Sequence, residues 1–429
     1  MRRLILTLCA CAIGARAGAQ QTRADSLRQR AIQDSLRQKA IQDSIALMRA
    51  LQGAAAPRAQ PGPTGGATGP TNPRLLPDLS AVGDLVGDFT PSSTTQPDST
   101  RFSVREVEIA IQAVVDPYFR GDVFLGVSDL EKISIEQAFL TTTSLPDFEI
   151  RLGRYLMPFG KENTTHRHDL HTIEYPWVIQ RFLSDDGLKG TGIWLDKVLA
   201  PFGFFQEIQV TAVDRLREAD EALVPFEQVN QSLGGFGYSA RLRNYVDINQ
   251  ATNIELSGSV ITGKVERALL TTTGDPLVVS GIDATLARQT MWGADLTFRW
   301  RPLQQGLYQS FILQAEYMQQ YNEDHPAPHV VGVPPSAVLP GLNYSGGYVF
   351  ARWQIGQRLF IGGRFDDVQD PLEDGRTLLA GSGYLEWFPS EFSKLTAGYE
   401  RWHPTVLEAQ NRILFQASFA LGPHKPHPF

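Results

Sequence analysis

Apolar and polar residues alternate with a period of two over most of the chain beyond Pro77. This spacing is typical of β-strands that have one apolar face and one polar face. In the run 253–260 the apolar face carries Ile254, Leu256, Gly258 and Val260, and the polar face carries Asn253, Glu255, Ser257 and Ser259. Sixteen runs of this kind can be counted, from LSAVGDLVGDF near the start to RILFQASFAL near the end. The pattern therefore predicts an all-β domain of sixteen strands.

The two faces of these runs indicate the environment of the sheet. A face rich in Glu, Arg, Ser and Gln cannot contact lipid, so we expect it to line a wet interior, while the apolar face points outward. The fold class predicted for residues 77–429 is a 16-stranded antiparallel transmembrane β-barrel, preceded by a short N-terminal helical segment.

The lengths of the connections support this interpretation, because outer-membrane barrels have short periplasmic turns and longer outer loops. Every second connection is predicted to be a tight turn, at 116–117, 144–147, 201–203, 249–251, 302–306, 356–357 and 389–391. The other set includes long connections at 157–190, 214–234, 263–288 and 322–344.

Two tryptophans give the expected height of the barrel. Trp292 and Trp300 share the apolar face of one strand and are eight residues apart, which corresponds to about 26 Å at ~3.3 Å per residue. The lipid-facing band of such barrels is about 25 Å tall and has an aromatic girdle at each edge. The alternative is a pair of ordinary buried tryptophans in a soluble sheet.

The first residues have the features of an export signal. Arg2 and Arg3 precede an apolar run, and Ala17-Gly18-Ala19 forms an A-x-A cleavage site, so residues 1–19 are predicted to be a cleaved signal peptide. Both cysteines, Cys9 and Cys11, lie within it. A lipoprotein signal ending at Cys11 is the alternative. The predicted location is the outer membrane of a Gram-negative-type envelope, reached through the inner membrane.

Two further segments precede the barrel. Residues 20–52 contain the nine-residue repeat DSLRQRAIQ, DSLRQKAIQ, which is rich in helix formers and predicts a periplasmic helical segment. It serves either for oligomerisation or as a solvated spacer. Residues 53–76 are rich in Pro, Gly and Ala and predict a linker without a core.

The net charge argues against one class of partner. The 429-residue chain has 39 basic and 46 acidic residues. Removing Arg2, Arg3 and Arg16 with the signal leaves 36 against 46 and a net charge of −10. A nucleic-acid partner is therefore not expected. The sequence also contains no G-x-S-x-G, H-E-x-x-H or Walker motif, and no enzyme activity is predicted.

The 157–190 insert is the strongest candidate for a functional element, because long loops in compact β-proteins usually carry function. We expect it to fold inward and to constrict the pore, with charged side chains setting a local field. The candidate residues are His166, Arg167, His168, His171, Arg181, Asp185 and Asp186 in the insert, with Glu149 and Arg151 on the strand before it. The alternative is a loop that these ion pairs merely hold in place.

The histidine spacing His166-x-His168-x-x-His171 is compatible with a zinc site, because imidazoles of a loop can converge on Zn²⁺. Asp169 and Glu174 are the candidate acidic partners. Otherwise these histidines hydrogen-bond the loop to the inner wall, and no cofactor is expected.

The chain ends in an alternating strand and a C-terminal aromatic residue, Phe429, which resembles the end signature read by the barrel-assembly machinery. Together with this end, several stretches resemble the phosphate-selective porin O and P superfamily, and within it a branch often labelled zinc-regulated outer-membrane protein. They are PDLSAVGDLVGDF (77–89), REVEIAIQAVVDPYFRGDVFLGV (105–127), ISIEQAFLTTTSLPDFEIRLGRYLMPFGKEN (133–163), HRHDLH (166–171) and SDDGLKGTGIWL (184–195).

The resemblance implies a sixteen-stranded barrel, often trimeric, with an inward-folded third outer loop. Two features depart from the family. The inward faces mix acidic residues with arginines instead of presenting rows of cations, so phosphate selectivity does not carry over. A receptor-type plug domain has no room in the 58 residues from Gln20 to Pro77.

The predicted function is that of a porin for passive diffusion of small hydrophilic solutes or ions. The expected partners are outer-membrane lipid, those solutes, and further copies of the chain in a homotrimer. One alternative is a metal-related or ligand-binding outer-membrane barrel. Another is a barrel enzyme or a structural anchor, since fold alone does not fix function.

Overall fold

The computed structural model describes residues 77–89, 101–128, 133–216, 233–272, 279–326, 338–339, 341–371, 376–403 and 409–422. The predicted signal peptide 1–19, the helical segment 20–52, the linker 53–76 and Phe429 lie outside these ranges and stay predictions.

The predicted sixteen-stranded antiparallel barrel is confirmed. Within the described ranges sixteen strands form one closed sheet, and two very short strands, His325–Pro326 and Val338–Leu339, pair separately. The strands are β1 Asp78–Phe89, β2 Arg101–Val114, β3 Phe119–Val127, β4 Ser134–Thr142, β5 Phe148–Leu156, β6 Lys189–Leu199, β7 Phe205–Val213, β8 Gly237–Asn249, β9 Thr252–Thr272, β10 Val279–Trp300, β11 Phe311–Asn322, β12 His325–Pro326, β13 Val338–Leu339, β14 Tyr344–Gln354, β15 Leu359–Asp370, β16 Arg376–Ser390, β17 Ser393–His403 and β18 Gln410–Leu421.

The barrel closes between its first and last strands. β1 pairs with β18 in an antiparallel register that runs from Ala81↔Leu421 to Phe89↔Ile413. Elsewhere each barrel strand pairs with its neighbours along the chain, as in a meander of hairpins. Closure leaves no unpaired edge within the sheet, which is what a lipid environment requires.

The two faces point as predicted. Leu256 and Val260 are 54% and 43% exposed on the outside, whereas Ser257 and Ser259 between them are only 2% and 7% exposed. Inward polar side chains are buried at many points of the wall, among them Thr297 with an exposed fraction of 0%, and the wet interior stays a prediction. These polar side chains are covered by one another and by the β5–β6 connection.

Aromatic side chains cluster near both ends of the apolar face of β10. The Trp292 ring lies 5.6 Å from that of Tyr317, and its Nε1 lies 3.3 Å from the Tyr321 hydroxyl. Eight residues further on, the Trp300 ring stacks at 5.8 Å on Trp353. The arrangement is that of two aromatic girdles.

The connections follow the predicted alternation, with one correction. The loop predicted at 263–288 is mostly a β-hairpin, because β9 and β10 stay paired from Gly263↔Gln289 to Thr271↔Gly281. Main-chain hydrogen bonds continue the β9–β10 ladder beyond the part of the strands that must present an apolar face to lipid. The end of the hairpin therefore cannot be found from side-chain alternation.

Among the described residues, no helix is both long and apolar enough to cross a membrane.

Candidate functional site

The connection between β5 and β6, residues 157–188, carries most of the predicted site and is called here the β5–β6 loop. It is two residues shorter than the predicted insert, because Lys189 and Gly190 pair with Leu156 and Tyr155 as the start of β6. It contains two 3-10 turns, Glu162–Thr164 and Arg167–Asp169, and the helix α1, Trp177–Phe182.

The β5–β6 loop has an apolar core of its own that packs on the inner face of the barrel. Ile173, Val178 and Phe182 each have an exposed fraction of 0%, and they belong to one cluster with inward-facing residues of the wall, among them Met291, Met318, Tyr348, Tyr384 and Trp402. Burial of such side chains contributes about 1.5–3 kcal/mol each. The loop is therefore held inside the barrel by apolar packing.

These inward apolar residues were missed by the sequence analysis, and they carried a usable signal. Met291, Met318 and Trp402 occupy positions where strict alternation calls for a polar side chain. Apolar residues on the otherwise polar inner face of a barrel strand indicate where another apolar segment packs against the wall.

The first part of the loop is fixed to β11 by a carboxylate. Glu316 Oε1 accepts hydrogen bonds from the backbone N–H groups of Lys161 at 2.9 Å and Glu162 at 2.7 Å. It also accepts one from the Tyr348 hydroxyl at 3.1 Å. Gly160 has φ +65°, and a Cβ there would lie 2.6 Å from Glu316 Oε2, so the close approach needs glycine.

The same turn is held to β9. The Gly160 N–H donates to Ser259 Oγ at 3.1 Å, and Lys161 Nζ donates to Glu255 Oε2 at 2.8 Å. Ser259 and Glu255 were both assigned to the inward face by alternation, and both are buried. The alternation therefore placed these anchors correctly without showing what they hold.

The helix α1 is fixed to β15 and β17, which lie far around the barrel from β5 and β6, the strands that the loop connects. The Trp177 N–H donates to Asp366 Oδ1 on β15 at 2.9 Å, and its indole Nε1–H donates to Glu400 Oε1 on β17 at 2.9 Å. Arg364 on β15 donates to the carbonyl oxygen of Glu174 at 2.8 Å. Contacts on β9, β11, β15 and β17 mean that the loop crosses the interior of the barrel.

Two cations of the wall satisfy loop carbonyl groups between these anchors. Lys394 Nζ donates to the carbonyl oxygens of His168 at 2.7 Å and Leu170 at 2.8 Å. Arg105 on β2 donates to the carbonyl oxygen of Ile173 at 2.7 Å, and its guanidinium forms an ion pair with Glu174 at 3.1 Å. Glu174, one of the candidate acidic metal ligands, thus forms an ion pair with Arg105.

The histidines predicted as a metal triad separate in the structure. His166 Nδ1 lies 2.7 Å from Glu108 Oε2 on β2, its Nε2 lies 2.8 Å from Gln137 Nε2 on β4, and its ring lies 5.5 Å from that of His168. His171 instead stacks on Phe350 at 6.1 Å. Among the described residues, the ligand atoms that lie within 4.8 Å of one another belong to Glu108, His166 and His168.

The surroundings shift the pKa values of the three imidazoles in different directions. Burial by itself lowers the pKa of His166, but the hydrogen bond and the charge of Glu108 outweigh it and raise that pKa above its usual value. Burial lowers the pKa of His168 to about 4, although Asp169 and Glu108 act against it. Burial and the charge of Arg352 hold the pKa of His171 well below its usual range.

The other predicted constriction residues form separate pairs. Arg167 Nη1 lies 3.0 Å from Asp186 Oδ1 and its guanidinium also donates to the carbonyl oxygen of Asp185. Arg181 pairs with Asp370 of β15 at 3.0 Å. The loop charges are thus neutralised locally, which agrees with the predicted alternative of a loop held by ion pairs.

Glu149 and Arg151 lie on β5 and pair with each other at 2.5 Å. The Arg151 guanidinium stacks 4.5 Å from the ring of Trp194. The structure therefore places these two candidates in a wall cluster of their own, and the contacts described for them are to the wall.

Charges of the inner wall are also paired between strands. Arg241 and Asp295 approach to 3.1 Å, and Arg352 and Glu386 to 2.8 Å. The mixture of signs expected from the sequence is thus present on the described wall, and these four residues form neutral pairs.

Comparisons with known proteins agree on the fold. The chain is 25% identical over 353 residues to an uncharacterized protein of Aquifex aeolicus (strain VF5), covering 76% of this chain and 70% of that protein. No family model matches the sequence.

Solved structures of outer-membrane proteins resemble the barrel. An anion-selective porin from Comamonas acidovorans superimposes with a TM-score of 0.53 at 10% identity, covering 80% of this chain and 99% of the porin. A loop-deletion mutant of OmpT, an outer membrane protein of Vibrio cholerae, gives a TM-score of 0.53 at 11% identity over 81% of this chain and 100% of that one. The chain thus has a porin-like outer-membrane barrel fold.

Proposed function

We propose that this protein is an outer-membrane porin through which small hydrophilic solutes or ions diffuse passively, and that the β5–β6 loop constricts its pore. The observation that carries the proposal is that the loop leaves β5, crosses the interior and is bound to Glu316, Asp366 and Glu400 on strands far around the barrel from β5 and β6. A sixteen-stranded barrel encloses an aqueous channel unless an internal element fills it. The loop then sets the width of the passage that remains.

The paired charges of the wall support a channel without strong preference for one sign of ion. A single-sign field attracts its counter-ion, whereas pairs such as Arg241–Asp295 cancel each other at short range. The proposed solutes are therefore small and hydrophilic, and no binding step is required for their passage.

Several further features belong to the same proposal. The barrel sits in the outer membrane, with the short turns on the periplasmic side and the signal peptide removed during export. The chain assembles as a homotrimer and reaches the membrane through the barrel-assembly machinery by way of Phe429. Its affiliation is with the phosphate-selective porin O and P superfamily, on the residues quoted above, without that superfamily's anion selectivity.

Planar-bilayer recording tests the channel. The refolded full-length protein should give steady, voltage-independent conductance steps, and its reversal potential in a salt gradient should lie near zero because of the paired charges. A protein that inserts into the bilayer and gives no steps would overturn the proposal. A reversal potential close to the value for a perfectly anion-selective channel would contradict the proposed weak selectivity. It would not contradict the proposal that the protein is a channel.

The group Glu108, His166 and His168 favours a second candidate, a metal-handling outer-membrane barrel. In that case ion capture, rather than diffusion, is the function of the loop. A protein that binds Zn²⁺ and stays silent in the bilayer recording would favour this candidate over a porin.

A further inference from the structure

The contact between the β5–β6 loop and β2 has the composition of a metal site. Glu108 contributes a carboxylate from the wall, and His166 and His168 contribute two imidazoles from the loop. The three residues do not form a short sequence motif, because Glu108 lies far from the two histidines along the chain. We propose that Glu108, His166 and His168 bind a divalent transition-metal ion such as Zn²⁺, which links the loop to the barrel wall.

The donor set suits this class of ion. Two imidazoles and one carboxylate are the three protein ligands of many zinc sites that keep a fourth position for water or another ligand. Imidazole donors select zinc and related transition ions over Mg²⁺ or Ca²⁺, which prefer oxygen ligands. The set is not that of a Ca²⁺ or Mg²⁺ site.

The distances allow closure around an ion. The three ligand atoms lie within 4.8 Å of one another. Tetrahedral zinc with bonds of about 2.0–2.1 Å needs its ligand atoms roughly 3.3 Å apart. The Glu108–His166 hydrogen bond of 2.7 Å must open slightly, and His168 must approach, which rotations about side-chain bonds can achieve.

Further polar side chains lie next to the two histidines. The second ring nitrogen of His166 lies against the Gln137 amide at 2.8 Å, and the Gln137 carbonyl oxygen is itself fixed by the Leu156 N–H at 3.2 Å. A metal-bound imidazole donates its second N–H to an acceptor, so on metal binding the Gln137 amide must turn its oxygen towards His166 and release the Leu156 N–H. Asp169 Oδ2 lies 3.7 Å from His168 Nε2 and is half-buried, so it can supply the fourth ligand.

The location gives the ion a mechanical role. His166 and His168 flank the start of the second 3-10 turn of the loop, and Glu108 lies on β2, a strand distinct from the β11 and β15 anchors. A bound ion would therefore add a further link between the loop and β2, beside the contact that Arg105 already makes. This inference does not depend on whether the barrel conducts.

Isothermal titration calorimetry of the refolded, chelator-treated full-length chain with Zn²⁺ tests the site. The wild type should bind one ion per chain, and Glu108→Gln and His168→Gln should each raise Kd by at least about tenfold, because loss of a ligand costs at least as much as loss of an outer partner. Heat-modified migration on gels checks that each variant is folded.

Two controls separate this site from other histidines. His171→Gln alters the third histidine of the sequence motif, which lies on Phe350, and the double variant H424Q/H427Q removes the histidines near the C-terminus. Both should keep the wild-type Kd. Loss of binding in either control, no binding by the wild type, or unchanged binding in both ligand variants would overturn the proposal.

Co²⁺ provides a readout on the wild type alone, so that the proposal stays testable if a variant does not fold. Binding of Co²⁺ at this site should give the intense visible absorption of a four-coordinate ion and should be displaced by one equivalent of Zn²⁺. A weak octahedral spectrum, typical of ions on surface carboxylates and water, would contradict it.

Discussion

The Glu316 carboxylate on β11 accepts a hydrogen bond from the backbone N–H of Glu162 at 2.7 Å, across 154 residues of sequence. The neighbouring N–H of Lys161 donates to the same oxygen. One buried wall residue thus satisfies the first turn of the β5–β6 loop, where no helical partner exists for these N–H groups. The loop depends on the barrel for its local structure as well as for its packing.

Replacing this carboxylate should loosen the loop. Glu316→Ala leaves buried N–H groups without an acceptor, at a cost of about 1–3 kcal/mol each. We expect faster hydrogen exchange in peptides covering residues 159–165 and a higher, noisier single-channel conductance. Glu323→Ala is the control, because Glu323 has a side chain that is 64% exposed. Equal exchange in the two variants would show that the loop keeps its structure without the Glu316 carboxylate.

The barrel could be predicted from the sequence because the alternation of residues within each strand indicates which face contacts lipid. Every strand has lipid on one face, so alternation is local information and needs no knowledge of partners. The exception is the β9–β10 hairpin, whose paired backbone continues past Gly263 and Gln289. There main-chain hydrogen bonds continue the ladder beyond the residues whose alternation was used to place the strands.

The candidate site was predictable only in part. The spacing of His166 and His168 pointed to an imidazole pair, but Glu108 lies 58 residues before His166 and reaches it only through the packing of the loop on β2. By its spacing, His171 was an equally suitable metal ligand. In the structure its ring stacks on Phe350, away from His166 and His168. Which wall residues meet a long inward loop is a property of the tertiary fold.

A charge on the outer face of β10 should impair folding. Leu296 is 37% exposed and lies midway between Trp292 and Trp300, so it marks the middle of the lipid-facing band. Leu296→Arg should cost about 2–4 kcal/mol in refolding into lipid vesicles. Leu296→Met, which keeps an apolar side chain of similar size, should refold like the wild type. Equal stability of both variants in denaturant titrations would contradict the assigned facing.

Removal of residues 1–62 should leave the barrel intact. The closing ladder joins β1 to β18 and starts at Ala81↔Leu421, so no residue before Asp78 takes part in the described sheet. The truncated chain, with a replacement signal peptide, should stay heat-modifiable on gels and unfold at the same temperature. Weaker oligomers on native gels would agree with an oligomerising role of residues 20–52. Loss of the barrel itself would mean that this segment supplies a plug or a strand.

The sharpest test of the loop is its removal, and the structure shows where to cut. The Asn163 side chain donates to the carbonyl oxygen of Met157 at 2.8 Å and accepts from the Leu188 N–H at 2.6 Å. This bracket holds the two ends of the loop together, so deletion of residues 164–183 joins chain ends that already lie close.

The shortened protein should still assemble, because β5 and β6 keep their own pairing from Phe148↔Lys197 to Leu156↔Lys189. Without the loop, the interior of a sixteen-stranded barrel is an open aqueous channel. We expect a severalfold rise in single-channel conductance and entry of larger sugars in liposome-swelling assays. Replacement of Arg181 and Asp186 by alanine in the intact loop is the control, since it removes charges and keeps the apolar core. If the deletion leaves conductance and size cutoff at wild-type values in folded protein, the loop does not constrict the pore, and the proposed function loses its central element.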